Sequence, residues 1–451
     1  MPQTLSIVIP VYNGAHYLRA CLKHLNASLT APIECLVVDD GSTDESAAVA
    51  REFCATVISS PHQGAAAARN LGARAAKGDI LLFLDADVCV HPDTVWRTLW
   101  NFEADPDLDA LIGSYDDAPG PEDFISQYRN LMHCFVHQNG RVEASTFWTG
   151  CGAIRRSVLL DHSGFDPTHP IEDIELGYRL AQAKRKVILD KGLLVKHLKR
   201  WTFWNLLKTD VLVRGIPWTE LILRDRRMPN DLNVQVNERI SVALVFLLFG
   251  LAAEGTIRYG GYFLTPFVAI LIVMLAKYWV EPPSRPQPAG VTFLMGTAAA
   301  GFIWLAYVHR DLPMVPPVLL GYALLYLRAR YVQDRKRRHY VTGLIYLTYL
   351  LFAIFFTLTF LPRRPIVFGV YAVLLMLVII NREFYLFFGK RRGLITAVAV
   401  IPFHLLYHFY NGISFMVGSI RYSWKALLKR QNQAEPFPTS TETPLNGPQR
   451  G

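Results

Sequence analysis

From Ile240 onward the chain is a succession of apolar runs, at 240–257, 260–280, 290–308, 313–327, 341–361, 366–380 and 393–420. About twenty apolar residues are needed for a helix to span the hydrocarbon core of a bilayer. The second, third and fifth runs fit that length well. The first, fourth and sixth are short or interrupted by Pro or Gly, and the last is long and broken near Pro402. Helices satisfy their own backbone polar groups in lipid, so such a block predicts an all-α transmembrane helix bundle of six to seven segments over 240–420. Hydrophobic residues make up 51% of the chain and charged residues 18%, with mean hydropathy +0.21. That excludes a disordered protein and is too apolar for an ordinary soluble one.

Charge divides the chain at the same place. Residues 240–451 carry 21 Lys and Arg against 7 Asp and Glu, whereas the first 239 carry 25 against 30. The excess lies in short clusters between apolar runs, as in the inside loops of a membrane protein, so the pI of 9.2 points to topology and to no nucleic-acid partner. The six Lys and Arg of Arg328–His339 and the three of Lys390–Arg392 should face the cytoplasm, as should the N-terminal part. Arg421, Lys425, Lys429 and Arg430 would lie outside if 393–420 crosses once. The last segment is therefore expected to be re-entrant or a hairpin, unless the rule breaks there. Residues 421–451 read as a basic, then disordered, tail.

The front part alternates strand-like and helix-like segments. Leu5–Pro10, Ile33–Val38 and Ile80–Leu84 are buried-strand candidates. Helices are expected over 16–25, Thr43–Phe53 (with Ser42 or Thr43 as N-cap) and Ala65–Ala76. This order predicts a mostly parallel sheet wrapped by helices, with ligands outside the carboxyl ends of the strands. No signal peptide is expected, since Ile7–Pro10 is too short an apolar run. The six cysteines form no Cys-x-x-Cys pair and no Cys/His cluster with structural zinc spacing, which suits a reduced, cytosolic domain.

Unusual polar residues follow each strand: Pro10–Gly14, then Asp39–Ser42, then Asp85-Ala86-Asp87. Two carboxylates one position apart suit a hard divalent cation that also holds a diphosphate, or else cap the next helix. Glu172, Asp173 and Glu175 open an amphipathic helix near its positive end, with Arg179 at i+4 from Glu175. Lys199–Arg227 is basic and interleaves Trp201, Trp204 and Trp218, a composition suited to helices at a membrane interface. Arg214 there could meet a phosphate or simply be solvated.

In order and spacing, PVYNG, VVDDGSTD, GAAAARNLGARAAKGDILLFLDADV, TFWTGCGAIRRSVL, GFD and IEDIELGYRL resemble family 2 glycosyltransferases of the GT-A fold over roughly the first 200 residues. The resemblance implies an α/β, Rossmann-like GT-A domain. It implies that Pro10, Tyr12 and Gly14 line the nucleotide base pocket, that Val38 and Asp40 sit at the base and ribose, and that Arg69 approaches the nucleotide. Asp85 and Ala86 would contact the nucleotide-sugar, Asp87 would be the main ligand to Mg²⁺ or Mn²⁺ with Asp85 beside it, and His197 a further ligand or a solvent-facing residue. Asp173 would be the base that deprotonates the acceptor, with Glu172 and Glu175 as alternatives. If the acceptor is an ionised phosphate, Asp173 would only position it. Some relatives place Gln where this chain has Cys89, a poor ligand for these metals. The chain also lacks the Gln-x-x-Arg-Trp motif of processive synthases.

These features predict a cytosolic domain over 1–198, interfacial helices over 199–239 and a bundle over 240–420. The expected function is inverting sugar transfer from a nucleoside-diphosphate sugar, with a lean to UDP, to a lipid or polyprenyl-phosphate acceptor at the cytoplasmic membrane. The alternatives are a polysaccharide synthase that exports its product and a non-catalytic membrane scaffold.

Overall fold

Alternate residues of the apolar strands feed two separate cores, and that requires a sheet covered on both faces. Ile7 and Ile9 pack on one face with Leu18 and Leu22, while Val8 packs on the other with Val38, Phe83 and Leu176. The computed structural model describes residues 3–29, 33–53, 55–259 and 365–433, with a few positions between 320 and 345. The strands are β1 (Leu5–Val11), β2 (Glu34–Asp39), β3 (Thr56–Ser59), β4 (Ile80–Leu84), β5 (Val88–Val90), β6 (Ala110–Tyr115), β7 (Cys151–Arg155) and β8 (Val187–His197). They form one sheet in the order β3-β2-β1-β4-β7-β6-β8-β5. Strands β1 to β4 are mutually parallel, and β7 runs against both β4 and β6.

Around the sheet lie α1 (Ala15–Ser28), α2 (Ser46–Glu52), α3 (Ala65–Ala75), α4 (Thr94–Ala104), α5 (Phe124–Gln138), α6 (Arg156–Asp161) and α7 (Glu172–Gln182). Helix α2 starts later than expected. Asn13 Oδ1 accepts from the amides of Thr43 and Asp44, at 2.8 and 3.3 Å, which keeps them out of the helix and leaves Glu45 at the N-cap. Helix α4 is preceded by Asp93, so neither Asp85 nor Asp87 caps it.

Beyond β8 come α8 (Phe203–Lys208), a π-helical stretch at Thr209–Gly215, α9 (Ile216–Asp225) and α10 (Val236–Tyr259). The C-terminal described part is α11 (Pro365–Ile380), α12 (Arg382–Arg392) and α13 (Leu394–Gln433). Among the described residues, Val236–Arg258 and Leu394–Leu428 are long and apolar enough to cross a membrane. Helices α11 and α12 meet at a 64° bend. Apart from the scattered positions, the runs expected at 260–280, 290–308, 313–327 and 341–361 lie outside the described residues.

The last run is neither a hairpin nor re-entrant. It is one continuous helix with Pro402 inside it, and it follows the globular part along its length. Phe403 meets Phe124 with ring centroids 5.0 Å apart, and Tyr407 and Tyr410 join Tyr128, Leu131 and Trp201 in one buried cluster. Further on, Arg421 and Lys425 pair with Glu220 of α9 at 3.1 and 2.8 Å. From Val400 to Lys425 is about 38 Å of helix, and both ends of that span touch the N-terminal half. Arg421 and Lys425 are therefore held beside that half.

Close packing sets this junction. A Cβ on Gly215 would stand 2.7 Å from the Ser414 Cβ and 2.8 Å from the Asp210 carbonyl oxygen. Gly215→Ala should destabilise the full-length protein by about 1–3 kcal/mol through overpacking. Gly250 on α10 has nothing within 4 Å, so Gly250→Ala should be neutral or slightly stabilising. Thermal midpoints in detergent that move equally for both variants would contradict this packing.

Candidate active site

Most sequence-predicted site residues come from the carboxyl end of a strand or the loop and first turns beyond it, and Glu172, Asp173 and Glu175 from the start of α7. Pro10 and Val38, paired across β1 and β2 one residue before those strands end, are buried as part of the wall. Gly14 leads into α1, its amide donating to Ser46 Oγ at 3.1 Å. Tyr12 is 50% exposed, and its ring stacks on His62 with centroids 3.9 Å apart. The two adjacent aspartates divide their tasks. Asp39 accepts from the Ser42 amide at 3.0 Å and makes the turn. Asp40 accepts from the Gln63 and Gly64 amides, each at 2.9 Å, and its Oδ2 lies 2.8 Å from His62 Nδ1. Gly64 can present its amide this way because its φ of +93° strains any other residue.

Arg69 is the hub. It is 5% exposed, and its guanidinium donates to Asp85 Oδ1 at 2.8 Å and to Glu172 Oε1. A buried guanidinium is tolerable only when paired in this way. The bridge brings the β4 carboxylates to the start of α7 across more than eighty residues. Among the described residues its buried Nε has no hydrogen-bond partner.

Asp87 meets His197 through the sheet. Antiparallel pairing sets Val88 opposite His197, and the Leu198 amide donates to the Asp87 carbonyl at 2.8 Å. His197 Nε2 then lies 3.5 Å from Asp87 Oδ2. The histidine is buried, not solvent-facing, and its ring stacks on Tyr115 at 4.3 Å. Its Nδ1 is 2.6 Å from Asn130 Oδ1 on α5, so Nδ1–H donates there and Nε2 turns its lone pair towards Asp87. A carboxylate facing a neutral imidazole whose other nitrogen is hydrogen-bonded is a donor set that fits a divalent cation. Cys89 is buried, and burial pushes its thiol up to about 11.

The acidic cluster at α7 separates by partner. Glu175 is buried and engaged by Arg179 at 2.8 Å and Arg224 at 3.3 Å, which commits it to structure. Glu172 holds Arg69. Among the described residues Asp173 has only the adjacent Ile174 amide, at 2.8 Å, as a direct hydrogen-bond donor. Burial raises its carboxyl against the pull of Arg69 and Arg214, with Asp85 pushing the same way as burial. Arg214, in the π-helical stretch, therefore has its charge at the site. Sequence reasoning left Arg214 open and missed Asn130 and Tyr115 altogether. Asn130 had one signal, an amide on the apolar face of an amphipathic helix. The site-bearing helix α5 is itself tied down by Arg129, which pairs with buried Asp210 at 2.8 Å, where Tyr410 also donates at 2.7 Å.

Fold and site together define an α/β ligand-binding domain with carboxylates gathered round one arginine at its strand ends. Residues 6–163 match the family model described as Glycosyl transferase family 2, which supports a domain of that family in the front half of the chain. Among curated relatives, the chain is 34% identical over 121 residues to glycosyltransferase GlyG of Streptococcus pneumoniae, covering 26% of this chain and 40% of that one. It is 30% identical over 205 residues to the pre-mycofactocin glycosyltransferase of Mycobacterium tuberculosis, covering 43% and 42%. The chain thus spans about two fifths of the length of these relatives. Among solved structures it is similar to the mannosyltransferase PcManGT of Pyrobaculum calidifontis, with 18% identity, a TM-score of 0.41, and coverage of 74% of this chain and 89% of that one.

Proposed function

We propose that the chain is a membrane-integral, inverting glycosyltransferase. It moves a sugar from a nucleoside-diphosphate sugar, UDP favoured, to a lipid or polyprenyl-phosphate-linked acceptor at the cytoplasmic face. The observation that carries this reading is the Arg69 bridge, which holds the Asp85-Ala86-Asp87 strand end against the Glu172-Asp173 helix start. Donor and acceptor groups would otherwise have no common cleft.

In this reading residues 1–198 are the transferase domain, 199–239 the interfacial helices and 240–420 the membrane part. Tyr12, Asp40 and the β1 and β2 ends hold the nucleotide. Asp87 and His197, with Asp85 near by, would hold Mg²⁺ or Mn²⁺, which would supply positive charge to the leaving diphosphate. Asp173 takes the proton of the acceptor hydroxyl as that oxygen bonds to the anomeric carbon. The bond from that carbon to the diphosphate oxygen breaks on the opposite side, and the electron pair leaves with the diphosphate. The Arg69 guanidinium and Arg214 stand where negative charge gathers.

The acceptor is tested with the full chain. Cutting at 198 would strip Trp201, α12 and α13 from Tyr128, Leu131 and Met132 and leave an apolar face bare. Full-length protein in nanodiscs of bacterial lipid extract, given a panel of nucleotide sugars, should transfer label to the lipid fraction. Equal transfer to a water-soluble acceptor would overturn the lipid assignment. No transfer from any sugar nucleotide would overturn the reading as a whole.

A further inference from the structure

A second cluster of ligating side chains lies away from the transferase cleft, where α10 crosses α13. His404 and His408 sit one helical turn apart on α13 and are 3% and 0% exposed. Glu238, in the first turn of α10, faces them, and the three side chains place their ligating atoms within 4.8 Å of one another. His408 Nδ1 is 3.6 Å from Glu238 Oε2, and neither ring nitrogen of His408 has a hydrogen-bond partner among the described residues. A neutral imidazole needs a donor and an acceptor. Burying both nitrogens without partners is costly. Among the described residues the sole ion-pair partner of the Glu238 carboxylate is this same histidine.

The surroundings are those of a metal ligand. His404 Nδ1 lies 3.3 Å from the Tyr385 hydroxyl on α12, and its ring stacks on Phe384 at 4.0 Å. With Nδ1–H donating to Tyr385, Nε2 is left as the ligand atom. A tetrahedral ion with bonds of about 2.0–2.1 Å holds its ligands about 3.3 Å apart. Two nitrogens and one carboxylate oxygen suit a borderline transition metal better than the hard cation of the sugar-nucleotide cleft.

We propose that Glu238, His404 and His408 bind a transition-metal ion of the zinc class, which staples α10 to α13. The fourth position is open to water. This site is independent of the transferase reading. It sits beside the bend at Asn381, whose side-chain amide donates to Ser241 Oγ of α10 at 2.9 Å, so the ion would fix the meeting point of three helices.

The test uses full-length protein in detergent, purified without a polyhistidine tag, stripped with chelator and re-equilibrated with Zn²⁺ or Co²⁺. After gel filtration the wild type should retain about one equivalent of zinc and melt at a higher temperature than the stripped protein. The cobalt form should show the visible absorption of a four-coordinate ion. Asp87→Asn should leave zinc retention unchanged, and the near-isosteric Glu238→Gln and the double variant His404→Gln/His408→Gln should lose it. Zinc that washes off the wild type, a cobalt spectrum like that of the aqueous ion, or retention equal in wild type and both variants would overturn the proposal. The cobalt spectrum and the melting shift of the wild type decide the matter even if a variant does not fold.

Discussion

Asp87→Asn is expected to lower kcat/KM by more than a hundredfold, about 2.7 kcal/mol of transition-state stabilisation, and to abolish metal-dependent nucleotide binding. The substitution keeps the shape of the side chain. It leaves the β5–β8 pairing intact, because that pairing uses the Asp87 carbonyl and not its carboxylate. What it removes is the charge that faces His197 Nε2. Calorimetric titration of the nucleoside diphosphate with and without Mn²⁺ separates the two consequences. Turnover within about tenfold of wild type, or equal nucleotide affinity with and without the ion, would remove Asp87 from the metal site. Asn130→Leu is the companion variant. If Asn130 only orients His197, it should weaken the Mn²⁺ response by about 10–100-fold while leaving metal-free nucleotide binding unchanged.

Asp173→Asn should lower kcat by roughly 10²–10⁴ with little change in donor affinity. The pH profile gives the sign. Burial raises the Asp173 carboxyl above its ordinary value, so the base is lost on descending through a pKa higher than that of a free aspartate. The wild type should therefore show a falling acid limb in kcat/KM that the variant lacks. Stability moves the other way. A carboxyl whose folded pKa lies above its unfolded one contributes stability below the unfolded pKa and loses it as pH rises through the folded value, so the asparagine should be no less stable at neutral pH. A variant with normal kcat and lost donor binding would move Asp173 into the nucleotide pocket. Normal kcat with normal donor binding would indicate an acceptor that arrives already ionised.

What the sequence made legible follows from locality. β1, β2 and β4 are continuous runs buried on both faces, and the polar residues that follow them mark the cleft. β3 is short and half exposed, and β6 is interrupted by Gly113, so neither announces itself. The partners of the site residues were harder still. Arg69 reaches Glu172 from more than a hundred residues away, and Asn130 reaches His197 from sixty-seven, through sheet order that no local pattern encodes. Helix α13 reads as one membrane crossing by composition, yet its Ser414 and Gly418 face Gly215 and Thr219, which only the packed structure reveals. The spacing His404-x-x-x-His408 was visible, but without a cysteine near by it did not stand out as a ligand pair.

The attachment of α13 at both ends also governs how the protein can move. Near its start Phe403 and Tyr407 grip α5, and near its end Arg421 and Lys425 hold α9, while Arg391 of α12 reaches Asp117, just beyond β6. A domain mounted at several separated points has no hinge about which to swing as a body. Access for substrates and exit for products then fall to short backbone segments at the rim. Asn13, Gly41 and Gly64 have positive φ in the loops that follow β1, β2 and β3. Loop motions of that size run on nanosecond-to-microsecond timescales, faster than rigid-body closure. The clock of such an enzyme would be set by the peptide bonds around Asn13 and Gly64, and its mounting would keep time by staying still.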